Sequence, residues 1–163
     1  MDVDRATVYA AELAAFDGTD LEEVIGFERV ASLLASVTEG PWWPGPVTIV
    51  RRARSDARSS STRCAAPSTG ASTVIRLAHD QTTLATGAHE LAHALAGVDA
   101  GHGPRFRVAH LDVVAVVTNV EPTDRRRTLH VDQLGVAFAA AGLSIGMRRW
   151  PAPPSSTTGA IAL

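Results

Sequence analysis

Two histidines four residues apart constrain this chain more than any other feature. His89-Glu90-Leu91-Ala92-His93 lies in a stretch whose apolar residues recur at helical spacing. At about 100° per residue, Leu84, Ala88, Leu91 and Leu95 fall on one stripe, and His89 and His93 lie together on roughly the opposite side. The pattern predicts a helix over 82–96, capped by Asp80 or Thr82 and closed by Gly97. Small residues, Ala85, Ala92 and Ala96, flank the histidines. One face can thus anchor in a core while the other projects two imidazoles into a cleft.

Such a pair suits one chemistry. Residues four apart stand slightly more than one turn apart, so both rings can reach a single ion at about 2.0–2.1 Å. Glu90 lies one step round from His89, poorly placed to ligate the same ion but well placed to hold a metal-bound water. Zinc makes that water acidic, and Glu90 takes its proton and later passes it to the leaving group. The bare pattern arises by chance in about one such chain in a hundred. The competing reading is a pair of ordinary surface or core histidines, so a third ligand matters.

Aspartate at Asp99 is one candidate, although Gly97 falls one residue late for the turn that would bring it round. A glutamate from the following helix is excluded, because none occurs between Leu91 and Val120. The stronger candidate is His102, in Ala100-Gly101-His102-Gly103-Pro104-Arg105-Phe106. Glycines on both sides let the loop bend back towards the first two histidines, and Pro104 can open the next helix. Phe106 is expected to pack under the site and aim His102.

At these residues the chain resembles the SprT-like zinc metallopeptidases, which share an HExxH…HGxxF pattern. The wider chain looks more like a small actinobacterial group of metallohydrolases with the same signature, to which Asp4-Arg5 and Val8-Tyr9-Ala10-Ala11-Glu12 are also similar. The specific likeness covers 73–112, with a looser one over 4–50. The resemblance implies zinc on His89, His93 and His102, Glu90 as general base, and an α+β minimal zincin fold. A sheet edge beside the metal helix would then hold an extended peptide. Some relatives cleave proteins attached to DNA. This chain has a shorter connection between His93 and His102, and no C-terminal zinc module is recognisable.

Composition sets the frame. A chain of 163 residues with 45% apolar content can bury one core. Its net charge of −2, with all 15 basic residues arginine, does not favour nucleic acid as a partner, so a protein or peptide substrate is expected. Cys64 is the only cysteine, the N-terminus lacks an apolar signal core, and 134–147 is too short to span a bilayer; a cytoplasmic protein without a membrane partner is expected. One domain should fill 1–147, with a disordered tail over 148–163.

Helical periodicity marks 3–16, a segment running from near Phe27 to before Gly40, 104–117 and 131–141, the last ending at Gly142. The start of the second helix, between Leu21 and Phe27, stays open. Strand composition marks 47–50 and 73–77; between them, 55–72 reads as a loop with a short strand near 63–65.

Other residues have plainer expected roles. His110 could face the same side as His102 two turns on, with a solvated or packed histidine the plainer expectation, and His79 and His130 are expected to be structural or exposed. Trp42 and Trp43 should pack beneath the sheet. Arg51, Arg52, Arg54 and Arg58 could touch phosphate or a substrate carboxylate, but the plainer expectation is that they solvate a strand edge and loop. Two other functional classes compete with a hydrolase: a catalytically silent metal-binding or DNA-associated regulator of SprT-like fold, and an inert helical adaptor.

Overall fold

A computed structural model describes residues 2–64, 72–118 and 127–154, apart from the side chains of Arg127 and Thr128. The fold is mixed α+β. Among the described residues, five helices, α1 (Arg5–Phe16), α2 (Phe27–Thr38), α3 (Leu84–Ala96), α4 (Pro104–Val117) and α5 (Arg127–Ala140), accompany a three-stranded sheet. Strand β1 (Val47–Arg52) and strand β2 (Ser61–Cys64) flank the central β3 (Ser72–Leu77). β1 runs parallel to β3, with Val47 opposite Ser72, and β2 runs antiparallel, with Ser61 opposite Arg76.

Strand periodicity decides what the sheet covers. Thr73, Ile75 and Leu77 of β3 are buried, and the alternate residues Ser72, Val74 and Arg76 are half-buried on the other face. α2 packs on β1 and α3 on β2 and β3, while α4 and α5 continue the helical layer outward. The core runs through Val30 and Leu34 of α2, Ile75 and Leu77 of β3, Leu91 and Leu95 of α3, Phe106 and Val113 of α4, and Leu134 and Phe138 of α5. α3 is therefore enclosed by other elements, and ten of its residues are buried.

Several boundaries differ from the sequence-based expectation. Thr83 caps α3, its Oγ1 accepting from the Thr86 amide at 3.1 Å, in place of Asp80 or Thr82. Residues His79–Gln81 form a separate short 3-10 turn. The open start of α2 is resolved at Gly26, whose φ of 85° suits glycine and sets Phe27 as the first helical residue. α5 begins at Arg127, four residues before the expected 131. Trp42 and Trp43 pack at the rim of the core, with Trp42 Nε1 donating to the Pro151 carbonyl at 3.0 Å.

Within the expected tail, residues 148–154 are described, and two of their side chains contact α4. Arg148 donates twice to the Asp112 carboxylate of α4, at 2.6 and 2.7 Å, and Trp150 Nε1 donates to the same group at 2.8 Å. A buried acid on α4 thus ties down a proline-rich segment whose composition alone argues for disorder. Residues 155–163, Arg125-Arg126 and 65–71 lie outside the described residues. Among the described residues no helix is long and apolar enough to cross a membrane.

Candidate metal centre

α3 delivers His89 and His93 from consecutive turns, with ring centroids 4.9 Å apart. Gly97, at φ 87°, ends the helix, and Gly101, at φ 51°, turns the chain back before α4 starts at Pro104. That reversal brings His102 over the pair: its ring centroid lies 5.1 Å from His89 and 4.8 Å from His93. One potential ligand atom from each of the three rings falls within 4.8 Å of the others, so the cluster could hold a metal ion. Asp99 is not part of it. Its carboxylate is solvent-exposed and accepts from Arg105 at 2.9 Å.

Phe106 forms the floor. It is fully buried, and its ring centroid lies 4.4 Å from His93, 4.9 Å from His102 and 5.0 Å from His89. Tyr9 of α1 forms a wall, stacked on His89 at 5.1 Å with the planes 17° apart. The imidazoles are therefore held between aromatic surfaces that limit rotation of the rings.

Hydrogen bonds fix the tautomers. His89 Nδ1 lies 2.8 Å from Glu12 Oε1, and His102 Nδ1 lies 2.5 Å from Asp2 Oδ2. A carboxylate only accepts, so each Nδ1 carries the hydrogen and, in a neutral ring, each Nε2 is left as a bare lone pair. Those two Nε2 atoms face each other at 3.2 Å. Two lone pairs at that distance repel unless a proton or a cation sits between them. Nitrogens bound tetrahedrally at about 2.0–2.1 Å would stand about 3.3–3.4 Å apart, so the observed spacing fits a shared cation. His93 has no such anchor: its Nδ1 is buried without a hydrogen-bond partner among the described residues.

Electrostatics follow from this crowding. Burial, together with the neighbouring His89 and His102, pushes His93 down to about 3. Burial also lowers His102, against the opposing pull of Asp2. His89 is raised because Glu12 outweighs the burial that would lower it. Burial alone would raise Glu12, but His89 and His110 hold it far below the usual carboxylate range. The His93 ring is thus kept neutral, the state that binds cations.

Glu90 is not among the cluster's potential ligands; it lines a cleft of about 450 Å³ together with Arg5, Tyr9, Glu22, Gln81 and His89. It is 6% exposed, and its Oε2 accepts from the Thr62 hydroxyl of β2 at 2.6 Å. Burial raises its carboxyl above the ordinary value, which moves it towards the range of a general base working near neutrality.

The sequence reading missed the supporting residues. Glu12, Asp2, Thr62 and Arg107 had no assigned role. Glu12 left a signal: Val8, Ala11, Ala15 and Phe16 are the buried positions of α1, and Glu12 falls on their i, i+3, i+4, i+7 stripe. A carboxylate there must have a buried partner. It has His89, and His110 Nδ1, fully buried, lies 3.2 Å from the same Glu12 oxygen, at ion-pair distance but without hydrogen-bond geometry. Glu12, His89 and His110 also form a second grouping of potential ligands. It shares His89 with the first and reads more simply as a carboxylate layer that orients His89, one of the potential ligands. His79 is exposed and His130 is buried against Asp20 at 3.0 Å.

Glu12→Gln is expected to weaken metal binding about 10–100-fold, the usual effect of removing a carboxylate behind a ligating histidine. Competition with a chromogenic chelator measures it; unchanged affinity would mean that Glu12 serves folding only.

Comparison of the chain with protein-family models, curated proteins and solved structures gives no match.

Proposed function

We propose that this chain is a zinc-dependent hydrolase of minimal-zincin architecture, acting on peptide bonds in a protein or peptide substrate. The observation that carries the reading is the pair of Nε2 atoms 3.2 Å apart on His89 and His102, beside His93 and next to a buried carboxylate that is not one of the cluster's potential ligands. Three imidazoles and no thiolate or ligating carboxylate favour a borderline ion over magnesium or calcium. Zinc adds no redox chemistry, and three protein ligands leave it a fourth position, the usual arrangement of a hydrolytic site. When bound, such an ion acidifies a ligated water and polarises the carbonyl under attack.

The chain's own residues supply the rest. Glu90 accepts a proton at its carboxylate and returns it to the leaving nitrogen, with Thr62 holding it at 2.6 Å. Arg5 and Tyr9, on the wall of the same cleft, offer donors to an oxygen that gains negative charge. Among the described residues β2 is an edge strand beside α3, and such an edge suits an extended peptide. The lone cysteine fits the cytoplasm.

Metal analysis of the purified full chain tests this. We expect about one zinc per chain, lost in His102→Ala and retained in Asp99→Ala, with hydrolysis of an unstructured protein stopped by a chelator and restored by zinc. A metal-free protein from zinc-replete medium would overturn the reading. Zinc retention without any hydrolysis would favour the silent metal-binding regulator.

A further inference from the structure

Among the described residues, the helices pack on the face of the sheet that carries Thr73, Ile75 and Leu77, and the other face carries exposed or half-buried side chains. On that second face, Arg76 of β3 stands in register with Arg51 of β1 and Ser61 of β2, and Arg63 of β2 stands opposite Val74. Two arginines of the connection between β1 and β2 join them. Arg54, Arg58, Arg63 and Arg76 line one shallow groove of about 570 Å³, with Asp56 the only acid among its lining residues. Asp56 is engaged by Arg54, at 3.4 Å, and both are well exposed. Among the described residues, Arg58, Arg63 and Arg76 have no carboxylate partner. Concentrating like charge in this way disfavours the folded state, and in a chain of net charge −2 it does not follow from composition.

The groove is continuous with the cleft. Ser59 lines both; Ser60 belongs to the cleft that holds Glu90, and Ser61 to the arginine groove. Between them runs β2, an edge strand four residues long that spans about 13 Å at strand rise. Its Thr62 is the residue that holds Glu90. An extended chain lying along this edge with its scissile bond at Glu90 therefore passes over the arginines within about four residues.

We propose that the arginine groove is a substrate subsite for acidic side chains, so that the protein acts on polypeptides carrying a cluster of Asp or Glu about three to five residues from the bond cleaved. The proposal rests on the peptidase reading for its scissile bond, but the groove's ligand chemistry is separate from it. A peptide accounts for the surface better than a nucleic acid does. No aromatic side chain lines the groove to stack a base, whereas β2, an edge strand among the described residues, is the kind of edge that takes up an extended polypeptide. Guanidinium forks match carboxylates in pairs.

The test uses the full chain carrying Glu90→Gln, so that binding is read without turnover. Two labelled unstructured peptides are compared by fluorescence anisotropy, one with a block of four Glu and one with Gln in their place. The Glu peptide should bind about tenfold more tightly, and the difference should vanish in about 0.5 M salt. Adding Arg58→Glu and Arg63→Glu, both exposed, should abolish the preference at unchanged melting temperature; Arg58→Glu alone should halve it or better. In the otherwise wild-type chain the same substitutions should lower kcat/KM for the Glu peptide about tenfold and leave the Gln peptide unaffected. Equal binding of the two peptides, or a preference that survives charge reversal, overturns the proposal. So does tighter binding of a single-stranded oligonucleotide of equal charge, which would assign the groove to nucleic acid. Retained acidic preference without hydrolysis upholds the subsite and removes the peptidase reading instead.

Discussion

Glu90→Gln is expected to keep the metal and lose hydrolysis, with kcat falling about 10²–10⁴-fold, the usual contribution of a positioned general base. The substitution preserves size and leaves an amide oxygen able to accept from the Thr62 hydroxyl, which in the native protein lies 2.6 Å from Glu90 Oε2. What it removes is a basic oxygen. Because Glu90 stands outside the cluster of His89, His93 and His102, zinc content should stay at the wild-type level, and the paired measurement separates chemistry from binding. Thr62→Val should act more weakly and differently. It leaves Glu90 in place but removes the donor that steadies it, so the acidic limb of the pH–rate profile should move to higher pH. Wild-type turnover in Glu90→Gln would remove this carboxylate from the mechanism.

The second large effect concerns Arg107, whose side chain is 2% exposed. Its Nη1 donates to Asp4 Oδ2 and to the His102 carbonyl, each at 2.8 Å, and its Nε donates to the Ser144 carbonyl at 2.6 Å. One guanidinium thus joins the segment before α1, the His102 loop and the chain beyond α5. Arg107→Ala strands three acceptors, one of them charged, and is expected to cost about 3–5 kcal/mol. For a chain of this length that corresponds to roughly 10 °C or more in melting temperature. Metal affinity should fall as well, since the loop that presents His102 loses its tie. Arg107→Lys should not restore stability, because a single ammonium cannot reproduce the fork. The neighbouring Arg105→Ala is the control: its ion pair with Asp99 is exposed, and its loss should cost at most about 1 kcal/mol. Thermal melts of the three variants decide the matter; equal stability of Arg105→Ala and Arg107→Ala would show that the buried network contributes nothing.

Both predictions depend on a division of labour between a ligand set and the elements that aim it. His89, His93 and Glu90 come from one helix, His102 from the next turn of chain, and each has a different support. Glu12 on α1 orients His89, Asp2 orients His102, Thr62 on β2 orients Glu90, and Phe106 on α4 lies under all three imidazoles. The segment before α1 is therefore functional in this reading although it contributes no ligand. Its acids answer the imidazole N–H of residue 102 and the guanidinium of residue 107.

Local sequence determined the parts whose physics is local. The helical period placed His89 and His93 on one face, Pro104 and the apolar rhythm after it marked α4 from Pro104 to Val117, and glycines flanking His102 foretold a reversal of the chain. Tertiary structure alone decided what surrounds them. Glu12 meets His89 across 77 residues and Asp2 meets His102 across 100, and no periodicity records such a pairing. Asp112 likewise orders Arg148 and Trp150 across 36 and 38 residues, in a segment that composition assigns to disorder. The reason is that backbone propensity and amphipathic spacing act within a turn or a strand. The energy of a buried charge, by contrast, depends on which distant partner the packed core brings to it.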